Sequence, residues 1–250
     1  LRESPRKRRE RNAFVVEGAD DLERFIRSNR QVMEIFYCPE LISQKNSTAL
    51  LQCWEKETVN VQPLGINAFQ KASYRNNSDG VLGVIRAWNL ELNPEFKSQT
   101  DLILVLDEVE KPGNLGAVLR TSEAFGVDLV LLSDPCVDFF NPNVIRSSRG
   151  LIAELEVRCG SKEEVFEWMN FQNIEIKGTS SKIKMSIFEQ NHPLGTAFVV
   201  GNEKHGLGSF WKKNLTQWCS IPTLGTASSL NLNASVACLL SEFNRRNLRV

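Results

Sequence analysis

The sequence predicts a two-domain α/β protein, and three features of the chain indicate this fold class. Strand-like and helix-like stretches alternate through residues 13–88 and again through residues 101–250. The segment 89–100, NLELNPEFKSQT, is polar, contains a proline and lacks periodicity, as expected of a linker. The run 102–106 is apolar throughout, which is typical of a strand buried on both faces of a parallel sheet. We therefore expect one domain at 1–88 and a second at 101–250.

Short strands and helices are expected in turn along the first domain. The predicted strands are 13–17, 32–37, 59–64 and 81–88, and the predicted helices begin near Asp20, at a cap formed by Asn46 or Ser47, and near Ala68. Residues 2–11 precede them with six Arg or Lys against two Glu. This charge suits a phosphate backbone, although solvated termini are also often basic. Because the chain begins at Leu1 without a methionine, we expect the natural protein to extend further at this end.

The second domain is predicted to start with a strand, turn, helix and strand over residues 102–132. Further strands are expected at 152–157, 174–177 and 198–200, with a helix at 163–171. A last amphipathic helix is indicated by the spacing of its apolar residues, Leu232, Val236, Leu239, Leu240 and Phe243.

Composition excludes several classes of protein. No apolar run approaches the roughly 20 residues that span a bilayer, and the N-terminus lacks the apolar core of a signal peptide. Six scattered cysteines form no C-x-x-C pair, and the chain contains two histidines. These counts argue against a zinc site, a disulfide framework and a Ser-His-Asp triad. We expect a soluble cytoplasmic protein with reduced thiols, without metal and without membrane attachment.

A few polar residues stand where a ligand would be expected. Asn114 follows a buried strand in a Pro-Gly-Asn turn, where α/β sheets bind ligands, although it could also be a helix N-cap. Arg120 points away from the apolar helix face, as ordinary surface arginines also do. Glu203 lies in a glycine-rich turn, and Ser229 and Asn231 lie where a loop becomes a helix. Ser229 taken alone is typical of an N-cap. Neither a P-loop nor a GxGxxG motif is present, so a kinase or an NAD enzyme has little support.

Three segments, taken in order, resemble the motifs of the TrmH/SpoU RNA 2′-O-ribose methyltransferases of the SPOUT superfamily. They are NLGAVLRT at 114–121, GNE at 201–203, and IP at 221–222 followed by SLNL at 229–232. The resemblance covers residues 101–250. The first domain, from its basic start to the closing DGVLGVIRAW, is similar to the L30e-like substrate-binding domain of ribosomal RNA members.

This resemblance implies an S-adenosylmethionine-dependent enzyme with a SPOUT-type trefoil-knotted parallel-sheet domain, in which residues 221–242 thread a loop. The matching positions imply cofactor contacts at Thr179, Ser180, Gly201, Asn202, Ile221 and Leu230. They imply catalysis or its support at Asn114, Arg120, Glu203, Ser229 and Asn231. Family members are homodimers whose active site draws on both subunits, which would explain a solvent-facing Arg120.

Three positions depart from the family pattern. Lys111 replaces a common acidic residue, Arg149 replaces a small residue, and Asn233 stands where serine is usual. We expect Asn233 to change a hydrogen bond at the pocket floor and Arg149 to add a phosphate contact. Both departures weaken the inference of which RNA is methylated more than the inference that the protein is an active enzyme.

The function implied is methyl transfer to a ribose 2′-hydroxyl of large-subunit ribosomal RNA, with transfer RNA as the alternative substrate. Two other readings stay open: a catalytically silent RNA-binding paralogue and an unrelated nucleotide-binding enzyme. The proton acceptor is also open, because an arginine pKa above about 12 makes a poor base. Arg120 is either transiently neutral or a charged group that stabilises the developing alkoxide.

Overall fold

The computed structural model describes residues 1–42, 54, 59–74, 78–97, 100–226 and 229–247. These residues form two compact units: Leu1–Asn89 with Asp138–Glu154, and Leu90–Val137 with Leu155–Val250. The helix predicted to begin at Asn46 or Ser47 lies outside the described residues, except for Trp54, which is helical and buried.

The helices and strands alternate along the chain as expected, and two helices that the sequence did not predict lie at Pro142–Ser148 and Ser209–Asn214. In chain order they are α1 (Pro5–Arg11), β1 (Ala13–Glu17), α2 (Ala19–Arg27), β2 (Val32–Tyr37), β3 (Asn60–Pro63), α3 (Ile66–Ala72), β4 (Val81–Arg86), β5 (Leu102–Asp107), α4 (Pro112–Ala124), β6 (Leu129–Ser133), α5 (Pro142–Ser148), β7 (Val157–Gly160), α6 (Lys162–Phe171), β8 (Glu175–Thr179), β9 (Thr196–Val200), α7 (Ser209–Asn214), β10 (Gln217–Cys219) and α8 (Leu232–Asn247). Short 3₁₀ turns lie at Leu151–Ala153 and Ile187–Glu189.

The first unit is built on a mixed sheet with the strand order β1-β4-β2-β3. Strand β4 is antiparallel to β1 and β2, whereas β2 and β3 are parallel. Aromatic rings fill part of its core, where Phe14 stacks on Phe140 with 4.7 Å between ring centroids. The Arg30 guanidinium covers the ring of Trp88 at 4.1 Å, a favourable cation–π distance.

The basic N-terminal arm of the first unit is folded as α1. Ser4 caps this helix by accepting a hydrogen bond from the Lys7 N–H, and Pro5 fits the first helical turn. Arg8 is buried and pairs with Asp138, with 2.6 Å between Nη2 and Oδ2. Removing Asp138 would leave the Arg8 charge buried without a counter-charge, which lowers the stability of the fold. Arg8 therefore has a structural role. The other basic residues of α1 are exposed.

The second unit contains a parallel sheet with the strand order β10-β8-β9-β5-β6-β7. Every residue of β5 is buried, as expected of a central strand covered on both faces. Helices α4 and α8 pack against each other. Because all of its strands run in the same direction, their carboxyl ends lie at one edge of the sheet, where α/β proteins bind ligands. The expected α/β fold with a parallel sheet is confirmed.

Residues 90–97 belong to the second unit. Leu92 is buried, and its N–H donates to the carbonyl of Cys159 at the end of β7. The indole N–H of Trp168 donates to the Phe96 carbonyl at 2.8 Å. This polar segment is therefore fixed by backbone and ring contacts that its composition does not reveal.

The strand predicted at 152–157 is wrong at every residue except the last. Leu151–Ala153 form a 3₁₀ turn, and the strand begins only at Val157. The turn follows Gly150, whose φ of 74° is left-handed and whose absent Cβ would lie 2.9 Å from the Asp21 carbonyl oxygen. Leu151, Ile152 and Ala153 are buried there. A short apolar run alone does not distinguish a buried turn from a buried strand.

Within the described part of the chain, no helix is long and apolar enough to span a bilayer. No group of three or more His, Cys, Asp or Glu side chains among those residues is arranged to hold a metal ion.

A buried lysine and a buried histidine meet beside β8. Lys177 pairs with Glu175 at 2.9 Å and donates to the carbonyl of Asn191 and to Nδ1 of His192. Since an ammonium group only donates, Nδ1 is the acceptor, and Nε2–H of His192 donates to the Ile187 carbonyl at 2.8 Å. Burial is the main cause that lowers the pKa of His192, and the Lys177 charge lowers it further. The imidazole is therefore neutral.

Stability is expected to fall as the pH drops below about 6.5, because the unfolded chain then binds a proton at residue 192 that the folded chain excludes. The free energy of unfolding falls by about 1.4 kcal/mol for each pH unit between the unfolded and folded pKa values of this histidine. Thermal unfolding from pH 8 to pH 5 measures it. His192→Gln should flatten this part of the profile, whereas substituting the exposed His205 should not. Equal profiles for His192→Gln and the unmodified protein would contradict the account.

Candidate active site

A cavity of about 350 Å³ opens at the carboxyl edge of the parallel sheet. The last residues of three neighbouring strands line it, namely Thr179 of β8, Val200 of β9 and Cys219 of β10. The loops that follow these strands complete the walls. The sequence-predicted residues found in the lining are Thr179, Ser180, Gly201, Asn202, Glu203, Ile221, Ser229 and Leu230. The structure therefore brings together residues of the second and third motifs, whereas Asn114, Arg120 and Asn231 are absent from the lining.

Backbone groups and small side chains form much of this wall. Thr179 Oγ1 donates to the Val199 carbonyl at 2.9 Å, and Ser180 Oγ accepts from the Lys182 N–H at 3.2 Å. Burial raises the pKa of the Cys219 thiol to about 12. The thiol is thus protonated at neutral pH and unsuited to nucleophilic catalysis.

Gly201 permits the tight loop that bounds the cavity. A Cβ at this position would lie 2.4 Å from the carbonyl carbon of Gly206 and the nitrogen of Leu207. The loop closes on itself through the Gly206 N–H, which donates to the Asn202 carbonyl at 2.9 Å. Only glycine allows the backbone segments to approach this closely.

The side chain of Asn202 supports this loop. Its Nδ2 donates to the Glu108 carbonyl at 3.0 Å, and its Oδ1 accepts from the Lys204 N–H at 2.8 Å. The residue is buried, and both ends of its amide are engaged. Asn202 thus joins the loop after β9 to the loop after β5, a role that sequence reasoning missed because it depends on a contact with a distant carbonyl.

Two further contacts join the same loops. Asn114 Nδ2 donates to Glu203 Oε1 at 2.6 Å. Lys204 pairs with Glu110 at 3.0 Å, and this hydrogen bond is the largest cause that lowers the pKa of the Glu110 carboxyl. Because α4 begins at Pro112, Asn114 lies inside the helix and is not its N-cap. Its amide instead fixes the carboxylate of Glu203 at the cavity.

Asn231 caps α8 and does not itself line the cavity. Its Oδ1 accepts from the Asn233 N–H at 3.0 Å, and its carbonyl accepts from the Ser235 N–H at 2.9 Å. The N-cap role considered for Ser229 therefore belongs to Asn231. Ser229 is exposed in the cavity lining, where its hydroxyl is available to a ligand.

Arg120 lies apart from the cavity that its own chain forms. It is exposed on α4 and is absent from the lining. Among the described residues its guanidinium has no hydrogen bond or ion pair. The lining also includes basic side chains that the sequence did not single out, Lys182, Lys204, His205 and Lys212. Nothing local distinguishes them from ordinary surface residues.

Comparison with known proteins assigns both parts of the chain to known families. Residues 101–241 match the SpoU rRNA Methylase family, and residues 1–83 match the MRM3-like substrate binding domain. The first match alone spans more than half of the chain. The chain belongs to the SpoU rRNA methylase family.

Relatives in the SpoU family include two characterised bacterial proteins. The 23S rRNA (guanosine(2553)-2′-O)-methyltransferase RlmP of Bacillus subtilis (strain 168) is 26% identical over 236 residues, which cover 94% of this chain and 90% of RlmP. The 23S rRNA (uridine(2479)-2′-O)-methyltransferase of Streptomyces viridochromogenes is 31% identical over 150 residues, covering 57% of this chain and 52% of that protein.

Solved SpoU structures have the same fold. The crystal structure of an RNA 2′-O ribose methyltransferase matches with a TM-score of 0.84 at 30% identity, covering 98% of this chain and 93% of that one. The SpoU methyltransferase AviRb from Streptomyces viridochromogenes, in complex with the cofactor AdoMet, matches with a TM-score of 0.85 at 22% identity, covering 99% and 95%. This second likeness concerns the fold alone.

Proposed function

We propose that this protein transfers a methyl group from S-adenosylmethionine to a ribose 2′-hydroxyl of RNA, with large-subunit ribosomal RNA as its substrate. One observation carries the proposal: residues of the motifs at 201–203 and 221–232 line a single cavity at the carboxyl edge of the parallel sheet, and Asn114 of the first motif donates to Glu203 in its wall. The relatives named as 23S rRNA 2′-O-methyltransferases support ribosomal RNA over transfer RNA, which stays the alternative.

The cavity suits a cofactor of this size and chemistry. Its volume of about 350 Å³ lies within the range of small-molecule sites, roughly 300–1,000 Å³. Leu207, Leu230 and Leu239 offer apolar surface for a purine ring, while Ser220 and Ser229 offer hydroxyls. Thr179, Ser180, Gly201, Asn202, Ile221 and Leu230 are the residues we propose to hold it. When bound, the cofactor supplies an electrophilic methyl group on a sulfonium sulfur.

The chain's own residues would position the ribose and handle its proton. We assign this work to Asn114, Arg120, Glu203, Ser229 and Asn231. The Asn114 amide holds Glu203 at the cavity, so this carboxylate has a fixed orientation toward an incoming nucleotide. Ser229 adds a hydroxyl to the lining of the same cavity. Such positioning supplies much of the rate enhancement when the reaction needs only an in-line nucleophile.

The ribose hydroxyl must lose its proton as its oxygen bonds to the methyl carbon, while the bond from that carbon to the sulfonium sulfur would break and leave a neutral thioether. We assign this step to Arg120. Either a transiently neutral guanidine accepts the proton, or a charged guanidinium stabilises the alkoxide while phosphate or water takes the proton. No metal is required in either version.

We also propose a role for each domain and a location of the enzyme in the cell. Residues 1–88 would bind RNA, and residues 89–100 would link them to the catalytic domain at 101–250. Within that domain, residues 221–242 would thread a loop to form a trefoil knot. The match to a substrate binding domain at 1–83 supports the first assignment. We place the enzyme in the cytoplasm, where ribosomal RNA is modified in bacteria such as the sources of its relatives.

We further propose that the enzyme is a homodimer whose two active sites each combine residues of both subunits. Arg120 supports this arrangement, because it does not line the cavity of its own chain and would serve that of a partner. The interface would use the solvent-facing side of α4. The apolar face of α8, which the sequence suggested for this interface, is wrong for it, because Val236, Leu239, Leu240 and Phe243 are already buried within the chain. A monomer at micromolar concentration in light scattering would count against it.

Mixing two inactive variants tests the shared site. Each site would combine Arg120 of one subunit with the cavity that Gly201 shapes in the other. In a mixed dimer of Arg120→Ala and Gly201→Ala, one of the two sites therefore keeps both residues and the other loses both. After exchange of subunits, activity should recover to about a quarter of the unmodified level, since half of randomly formed dimers are mixed. Recovery should be absent if each chain builds its whole site alone. Each variant mixed with itself is the control.

Transfer of labelled methyl groups tests the function. The purified protein should label a large-subunit ribosomal RNA fragment more efficiently than transfer RNA, and calorimetry should show binding of S-adenosylmethionine. Cofactor binding without transfer to either RNA would overturn the proposed reaction. Preferential labelling of transfer RNA would replace the substrate, and a catalytically silent RNA-binding protein would show neither binding of cofactor nor transfer.

A further inference from the structure

Two polar side-chain contacts join α4 to α8. At one of them, Thr121 Oγ1 donates to Asn233 Oδ1 at 2.7 Å. At the other, Asn244 Nδ2 donates to the carbonyl of Phe125 at 2.8 Å. The two asparagines are separated along α8 by about 16 Å, as the rise of an α-helix requires for eleven residues. The helix pair is therefore held at two separate points.

The contact at Asn233 differs from the other because it adjoins residues proposed for catalysis. The Asn233 N–H donates to Oδ1 of Asn231, the N-cap of α8, at 3.0 Å. Its side chain meanwhile accepts from Thr121, which is adjacent in the chain to Arg120. One residue thus contacts Asn231 through its backbone and Arg120's neighbour through its side chain.

We propose that Asn233 is a positioning residue for methyl transfer, which holds the helix carrying Arg120 in register with the start of α8. This inference rests on the proposed function. Apolar packing between helices tolerates small shifts, but a hydrogen bond of 2.7 Å limits both the distance and the direction between its partners. In a dimer Arg120 serves the partner's cavity, and its location there still depends on how α4 lies on α8.

A displacement of Arg120 by about 1 Å is enough to slow a positioned reaction as much as about a hundredfold. Asn231 would be affected less, because its side chain bonds to the Asn233 backbone, which a substitution retains. The cofactor pocket should also be unaffected, since neither Thr121 nor Asn233 lines the cavity. The expected signature is a reduced kcat with unchanged affinity for the cofactor.

Asn244→Ala is the matched control for Asn233→Ala. Each substitution removes an asparagine of α8, but Asn244 bonds to the Phe125 carbonyl just past the end of α4, five residues after Arg120 instead of one. We expect both variants to unfold at lower temperatures than the unmodified protein. Asn233→Ala should lower kcat for RNA methylation at least about tenfold, whereas Asn244→Ala should keep kcat within about twofold.

A second pair of variants separates the hydrogen bond from the size of the side chain. Thr121→Val removes the donor while keeping the shape, so it should reproduce the loss of kcat. Asn233→Asp keeps an acceptor for the Thr121 hydroxyl and should retain most of the activity. The double variant Thr121→Val with Asn233→Ala should be no slower than Asn233→Ala alone, because both remove one bond.

The outcomes distinguish this role from a general effect on folding. Loss of kcat in Asn233→Ala and Thr121→Val, with a normal cofactor Kd and with activity in Asn244→Ala, supports positioning. Equal losses of kcat in Asn233→Ala and Asn244→Ala would overturn it, as would unmodified turnover in Thr121→Val. If Asn233→Ala fails to fold, Thr121→Val decides the question. No transfer by the unmodified protein would instead overturn the proposed function.

Discussion

Replacing Arg120 with alanine is expected to lower the rate of methyl transfer at least about a hundredfold, the loss typical of a general base or a charge-stabilising donor. Affinity for the cofactor should stay unchanged, because Arg120 does not line the cavity of its own chain. Stability should change by no more than about 0.5 kcal/mol, as for an exposed helix residue. Single-turnover transfer to a ribosomal RNA fragment, beside calorimetry of cofactor binding, measures both effects.

Two other substitutions sharpen this test. Glu123→Ala changes a charged residue of the same helix one turn away and should leave transfer unaffected. Arg120→Lys keeps a positive charge without the planar fork of the guanidinium. Partial activity in the lysine variant would favour electrostatic stabilisation over proton abstraction. Near-normal turnover in Arg120→Ala would remove this residue from the reaction and leave Asn114 and Ser229 as the candidates.

The second large effect is expected for Gly201→Ala. The new Cβ would lie 2.4 Å from backbone atoms of Gly206 and Leu207, so the loop that bounds the cavity must move. Such overpacking costs about 1–3 kcal/mol of stability. Because the same loop carries Asn202, proposed to hold the cofactor, and Glu203, proposed to position the ribose, we expect cofactor affinity to fall at least about tenfold and methyl transfer to fall with it. Calorimetry and thermal unfolding on one preparation measure the two losses.

Gly208→Ala provides the control for this substitution. Gly208 lies seven residues further along, and a Cβ there meets no atom within 4 Å. Its φ of −70° suits alanine. The control should bind the cofactor normally and lose no more than about 1 kcal/mol as a weaker helix cap. Normal cofactor binding by Gly201→Ala would show that the cavity is not the cofactor site.

Local sequence patterns were sufficient for most strands and helices, because burial on both faces or on one stripe leaves a direct periodic signal. The apolar run at 102–106 became the central strand β5. The same signal misled at 152–157, where the left-handed Gly150 and its close approach to Asp21 produce a buried turn. A contact with a residue so distant in sequence leaves no periodic trace.

The candidate site shows a similar division. Motif residues such as Gly201, Glu203 and Ser229 were predicted to meet, and they line one cavity. The functions of the supporting amides were not predictable, because the Asn202 side chain bonds to the carbonyl of Glu108 and Asn233 bonds to Thr121. Both partners lie about a hundred residues away in the chain, so only the folded structure reveals them.

Mapping of the methylated position tests the central claim most directly. An RNA fragment treated with the protein and S-adenosylmethionine is hydrolysed in alkali, which spares the phosphodiester next to a 2′-O-methyl ribose because the attacking hydroxyl is blocked. We predict one newly resistant position in large-subunit ribosomal RNA, absent from RNA treated with Arg120→Ala. Incorporated methyl label without any alkali-resistant linkage would place the group on a base and contradict ribose methylation.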